Sequence, residues 1–269
     1  RFNKCTFIIF LSLLFYSEIS ESQNIFQNKI IDNNIHTALL HSENQPLSYP
    51  IIKLNSQQKL QLSFDDFSEE IQDYYYTIVH CNSDWTESAL MQSEYITGFF
   101  ENRIEDYEFS FNTLQKYTHY NLVFPEEYLK PTLSGNYIIK VYKNNNPGDI
   151  VLTKRFMILD ERVNIAVNVK RSTLIEDRYS KQEIDFTINH QNVYISNPYS
   201  DIKVVVKQNN REDNSITNLQ PLFVKQDQLI YNYESENTFE AGNEFRHFDI
   251  KSIRYQSERI KEILGIAEV

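Results

Sequence analysis

The densest run of side chains able to ligate metal or act as nucleophiles is His80-Cys81-Asn82-Ser83-Asp84-Trp85. On a strand, neighbouring side chains leave opposite faces, so His80 and Cys81 cannot share one ion without distortion. The chain has no second Cys/His pair at zinc-type spacing. Cys81 falls on the face of Val79, which makes it a small buried residue, and Trp85 is either a plug under a loop or a ring that meets a ligand. Acidic pairs stand at Asp65-Asp66, Glu69-Glu70 and Glu126-Glu127. Glycoside hydrolysis needs two carboxylates about 5–10 Å apart across a cleft, whereas adjacent acids in loops are the solvated arrangement. There is no G-x-S-x-G elbow, and five scattered glycines build no phosphate loop. Arg246 and Asp249, in the stretch Gly242–Asp249, read either as a buried ion pair or as part of an exposed strand. We expect no catalytic residue, no cofactor, no metal and no small-molecule substrate.

Aromatic crowding is the feature with a binding sense. Tyr74-Tyr75-Tyr76 places rings on both faces of one strand, and Tyr95, Phe99, Phe100, Tyr107, Phe109 and Phe111 follow. Such rings either fill cores that are short of Ala and Gly, or supply rigid contact area with a polar tip. Trp85, Tyr75, Tyr95 and Phe99 are the candidate interface residues.

The elements that must position these rings are strands. Val163, Ile165, Val167 and Val169 alternate with polar residues, as do Ile184, Phe186 and Ile188, and then Ile202, Val204 and Val206. Each alternation predicts one dry and one wet face, the pattern of an antiparallel sheet. In the first half, strands are predicted near 35–41, 51–54, 59–64, 74–82, 106–111, 119–124, 137–142 and 152–159. Proline and glycine turns separate them. Glu87–Phe99 lacks alternation and reads as a short helix or a wide loop. In the second half, strands are predicted near 163–171, 182–190, 202–209, 228–235 and 244–255, with 257–264 opening a helix or another strand. The spacing predicts an all-β chain of two consecutive antiparallel, Ig-like β-sandwich modules, 23–160 and 161–269. Five strands fall short of the roughly seven of a sandwich. The chain also lacks an initiator Met, and we expect the second module to be incomplete.

A basic stub, an apolar run from Thr6 to Phe15 and small residues up to Ser22 have the order of a signal peptide over 1–22. The run is shorter than the roughly 20 residues of a spanning helix, so no direct membrane insertion is expected. With the leader removed, Cys81 is the lone cysteine and stability must come from burial. The net charge of −11, with no basic stripe, argues against nucleic acid and anionic lipid as partners.

Taken in order, several stretches resemble the plug protein family of the type IX secretion system. They are Leu47–Leu54, Tyr75–Trp85, Glu94–Phe99, Asp106–Thr113, Tyr117–Tyr120, Ser134–Tyr137, Thr153–Met157 and Ala241–Ile250. The likeness spans nearly all of 35–255, and it rests on their number and order. The resemblance implies a β-sandwich protein of the periplasm, peripheral to the inner face of the outer membrane. It also implies a large outer-membrane translocon β-barrel as partner, whose pore the protein seals while no cargo passes. Family members run well beyond residue 269. The other reading of the same pattern is a carbohydrate-binding or adhesion-type sandwich module.

Overall fold

The computed structural model describes residues 26–68, 70–242 and 262. The expected leader over 1–22, the strand over 244–255, the stretch 257–264 and the Arg246–Asp249 pair lie outside the described residues, residue 262 aside. The chain divides into two compact units, Arg1–Arg162 and Val163–Val269.

In the first unit the strands are β1 (Lys29–Ile30), β2 (Ile35–Ser42), β3 (Ile51–Lys53), β4 (Leu60–Asp66), β5 (Tyr74–Cys81), β6 (Ile96–Gly98), β7 (Glu101–Arg103), β8 (Asp106–Phe109), β9 (Thr118–Phe124), β10 (Leu129–Pro131), β11 (Gly135–Lys143) and β12 (Ile150–Leu159). One sheet runs β1-β12-β11-β5-β7 with β3 beside β12, a second runs β2-β4-β9-β8, and β6 and β10 form a two-stranded ribbon. Period-two patterning decides which side chains meet. Leu60, Leu62 and Phe64 of β4 and Tyr120, Leu122 and Phe124 of β9 turn inward from one sheet. Tyr74, Tyr76 and Ile78 of β5 with Tyr137, Ile139 and Val141 of β11 face them from the other. Rings bridge the gap between the sheets: Phe64 meets Tyr74 edge-on at 5.2 Å, and Phe124 meets Phe156 at 5.3 Å. Pairs of this kind add about 0.5–1.5 kcal/mol beyond the area they bury. The unit is therefore a sandwich, with aromatic residues at its centre.

Two details depart from the plain antiparallel expectation. The strand β3 pairs with β12 in parallel, Ile51 opposite Met157, because the chain leaves β2 in one sheet and crosses to the other through Pro46–Pro50. The stretch 87–99, which lacks alternation, holds one helical turn, α1 (Gln92–Tyr95), leading directly into β6. In that turn the Glu94 carboxylate accepts the Met91 N–H at 2.7 Å.

In the second unit β13 (Asn164–Arg171), β14 (Lys181–Asn189), β15 (Val205–Val206), β16 (Ile216–Thr217), β17 (Phe223–Lys225), β18 (Gln228–Tyr231) and β19 (Thr238–Glu240) are joined by a short helix, α2 (Pro198–Asp201). One sheet runs β13-β14-β18-β17 with β19 also on β14, and β15 pairs with β16. Phe186, Ile188, Leu219, Leu229 and Tyr231 form the core, with Phe186 stacked on Tyr231 at 4.5 Å. Two expectations are corrected here. The strand expected over 202–209 is two residues long, and left-handed backbone at Asn209 and Asn210 ends the extended run. The face of β13 expected to be dry is open: Ile165, Val167 and Val169 are 55%, 59% and 58% exposed. Alternation shows that a face is suited to burial, but not that a partner covers it.

Candidate interaction surface

The four candidate rings have different fates. Tyr95, the last residue of α1, is 2% exposed, packed with His80 and Tyr137 at 5.6 and 6.0 Å. It is a core residue and offers a partner no surface, a correction that follows from the α1 turn pointing its one aromatic inward. Tyr75 is half-buried on the outer face of β5, stacked on Tyr142 at 6.2 Å. Trp85 lies in the turn after β5 with φ of 68°, a left-handed conformation uncommon for a bulky residue. Its N–H donates to the Asn82 carbonyl at 3.0 Å, and the Asp84 carboxylate accepts the next N–H, that of Thr86, at 3.0 Å. The indole packs beside Phe26 over Val79, Cys81 and Ile138, with the Arg155 guanidinium 4.4 Å above the ring. Trp85 thus closes a small core on the outer face of the sheet, and its remaining edge is half-exposed.

Phe99 is the candidate that stands in solvent, 64% exposed, beside Tyr128, which is 61% exposed, with ring centroids 6.3 Å apart. The β6–β10 ribbon holds both rings: Gly98 lies opposite Leu129, and the Phe99 N–H donates to the Tyr128 carbonyl at 2.6 Å. Only glycine serves at position 98. Its φ is +104°, and a Cβ would stand 2.2 Å from the Tyr128 carbonyl oxygen. Tyr128 has no alternation to announce it, because it sits in a turn bracketed by Pro125 and Pro131. A large ring held between two prolines was the available signal. A second exposed aromatic group follows along β8, where Tyr107 and Phe109 meet at 5.8 Å and Phe111 and Leu114 extend beyond the strand.

The residues with chemical potential are committed to structure. Burial pushes the Cys81 thiol up to about 11, away from the thiolate that nucleophilic attack needs. His80 is held between the rings of Tyr95 and Tyr137, and it lies where a side chain on Gly135 would intrude, at 2.6 Å. Asp65 and Asp66 end β4, where a loop was expected. Asp65 pairs with His119 at 2.7 Å, and buried Asp66 accepts from the Tyr74 hydroxyl at 2.9 Å and from Ser68. Among the described residues no three His, Cys, Asp or Glu side chains gather to hold a metal ion.

Residues 35–160 match the model of the type 9 secretion system plug protein 1st domain. This chain carries a type 9 secretion system plug domain. The plug domain so matched runs from β2 to the end of β12 and contains the aromatic sandwich, the Trp85 turn and the Phe99–Tyr128 ribbon. The protein is also similar to a hypothetical protein from Parabacteroides merdae ATCC 43184 solved by crystallography, at 35% identity and a TM-score of 0.80. That match covers 86% of this chain and 58% of the Parabacteroides chain, so the plug domain and its neighbour span little more than half of that relative's length. No curated protein matches the sequence.

Proposed function

We propose that the protein is a non-enzymatic, periplasmic plug subunit. It binds the periplasmic end of the type IX secretion translocon barrel and seals the pore when no cargo is passing. The observation that carries the reading is the plug-domain match over 35–160, on a sandwich whose interior is filled by interlocked rings. A plug acts by occupying space, which requires a stiff body and a reversible contact, with no reactive group. The Phe99–Tyr128 pair supports a contact of that kind. Two large rings on a two-stranded ribbon supply a small anchor rimmed by Glu126, Glu127 and Lys130, in keeping with an interface that must also release. Tyr75 and the exposed edge of Trp85 are further contact candidates on the outer face of β5. The carbohydrate-binding reading is the weaker one. A sugar platform needs rings side by side in one plane, whereas the exposed pairs are tilted by 32° (Phe99–Tyr128) and 77° (Tyr107–Phe109).

The test is affinity purification from outer-membrane extracts of cells carrying wild-type protein or the Phe99→Asp/Tyr128→Asp variant. Wild type is expected to bring down a large β-barrel as its main partner, and the variant to recover at least tenfold less of it. Absence of any outer-membrane barrel from the wild-type eluate contradicts the proposal.

A further inference from the structure

The hairpin that joins β8 to β9 carries its apolar side chains outward. Exposure rises along it: Tyr107 rests on buried Tyr120 at 5.7 Å, Phe109 is 63% exposed, Phe111 is 94% exposed, and Leu114 stands fully in solvent. Residues 111–116 are all exposed. The tip is nevertheless held in one shape. At its base the Ser110 N–H donates to the Tyr117 carbonyl at 2.9 Å, and the Tyr117 N–H donates to the Ser110 hydroxyl at 3.0 Å. Asn112 turns the chain with φ of 54°, a conformation asparagine tolerates. The Thr113 hydroxyl donates to the Gln115 carbonyl at 2.8 Å. Polar groups around Leu114 are thus partly satisfied within the tip, which lowers the cost of taking it out of bulk water.

Charge sets this hairpin apart. The chain has a net charge of −11, so as a whole it repels an anionic surface. From Phe109 to Pro125, however, there is no Asp or Glu, and Lys116 stands at the tip. Behind the tip a hollow of about 300 Å³ is lined in part by Phe109, Tyr117, Ser110, Asn112, Thr113 and Lys116. Hydroxyl, amide and ammonium groups without a carboxylate suit a phosphate.

A protein partner seats an aromatic anchor in a fitted pocket and seals it with surrounding contacts. Phe111 and Leu114 instead project singly from a convex turn, with exposed polar residues between them. A bilayer interface needs no matched pocket. Aromatic rings settle at headgroup level, leucine reaches the acyl boundary, and lysine meets anionic headgroups.

We propose that the β8–β9 hairpin tip is a shallow membrane contact. Phe111 and Leu114 enter the interface of a bilayer containing anionic lipid, and Lys116 meets a lipid phosphate at the hollow. Two side chains bind less strongly than a single lipid anchor, itself marginal, so the contact orients a molecule held at the surface by other means.

Depth-dependent quenching tests this in the full chain with Cys5→Ser and Cys81→Ala, tethered by a C-terminal histidine tag. The vesicles contain phosphatidylethanolamine, phosphatidylglycerol and a nickel-chelating lipid. An environment-sensitive fluorophore on Gln115→Cys reports the tip, and the same label on Gln57→Cys reports the exposed β3–β4 turn. Lipids with nitroxide on the acyl chain are expected to quench the tip label at least threefold more than the other. Adding Phe111→Ser and Leu114→Ser is expected to abolish that difference at an unchanged urea midpoint, since both side chains are exposed. Replacing phosphatidylglycerol by phosphatidylcholine is expected to reduce tip quenching at least twofold. Equal quenching at both positions overturns the proposal, as does quenching that survives the double substitution or ignores the lipid charge. A tip label that is silent on vesicles but responds to purified translocon also overturns it, by placing a protein against the tip. The vesicles contain no barrel, so this outcome and that of the barrel capture are independent.

Discussion

Asp66 is the buried carboxylate at the end of β4, and three donors satisfy it: the Ser68 N–H, the Ser68 hydroxyl and the Tyr74 hydroxyl, at 2.9, 2.8 and 2.9 Å. Hydrogen bonds to a charged group contribute about 1.5–3 kcal/mol each. Tyr74→Phe is therefore expected to cost about that much, read as a lower urea midpoint at unchanged slope; an unchanged midpoint would mean the contact contributes nothing. Cys81 gives a pH signature. Its thiol titrates at about 11 in the folded chain against an ordinary value of 9.0, and burial is the main cause. Below pH 9 the thiol is neutral in both states. Between 9 and 11 the unfolded chain gives up the proton while the folded chain keeps it, so stability falls as pH rises and then levels off. The difference in stability between wild type and Cys81→Ala should shrink by up to about 3 kcal/mol across that window, followed by urea unfolding at fixed pH steps. At this scale the sequence was readable where one face decided the outcome: Cys81 shares a face with Val79, and both are buried. Tyr95 was misread because a single helical turn, invisible to strand periodicity, aims it inward. Asp66 was misread because adjacent acids suggest solvent until the partner, Tyr74 across the sandwich, is in place.

At the scale of elements, the β6–β10 ribbon is the part where fold and contact meet. Gly98 allows the two backbones to approach closely enough for the Phe99 N–H to reach the Tyr128 carbonyl. Gly98→Ala forces a clash with backbone, which cannot yield as a side chain end would. The ribbon must spread, and the two rings must separate. The expected outcome is weakened barrel binding, by at least tenfold, in a protein whose far-UV dichroism matches wild type and whose urea midpoint shifts by less than that of Tyr74→Phe. Normal binding by Gly98→Ala would show that the ring pair is not the contact. Among the longer strands of the first unit, Thr118–Phe124 was legible because its burial alternates along its whole length. The ribbon was not, because its strands are three residues long and its glycine constraint is tertiary. The open β13 face marks the converse limit: its alternation identifies a face suited to burial, while Ile165, Val167 and Val169 stand more than half exposed.

At the scale of the whole molecule, the proposed plug role needs a stiff body and no reactive group. Cys81 is buried and its thiol is pushed up to about 11, the acidic pair Asp65-Asp66 is held by His119, Ser68 and Tyr74, and the first unit is a sandwich filled with rings that matches a plug domain. The plug-domain likeness was legible in ordered stretches such as Tyr75–Trp85, since those residues serve the sandwich and its closing turn. The contact surface was not, since exposure depends on which rings the core consumes. The most direct measurement is leakage of small solutes through the purified translocon in liposomes, with and without this protein. The pore is expected to leak alone and to close on stoichiometric addition of wild type, with closure lost for the Phe99→Asp/Tyr128→Asp variant. Equal leakage in the presence and absence of wild-type protein would contradict it.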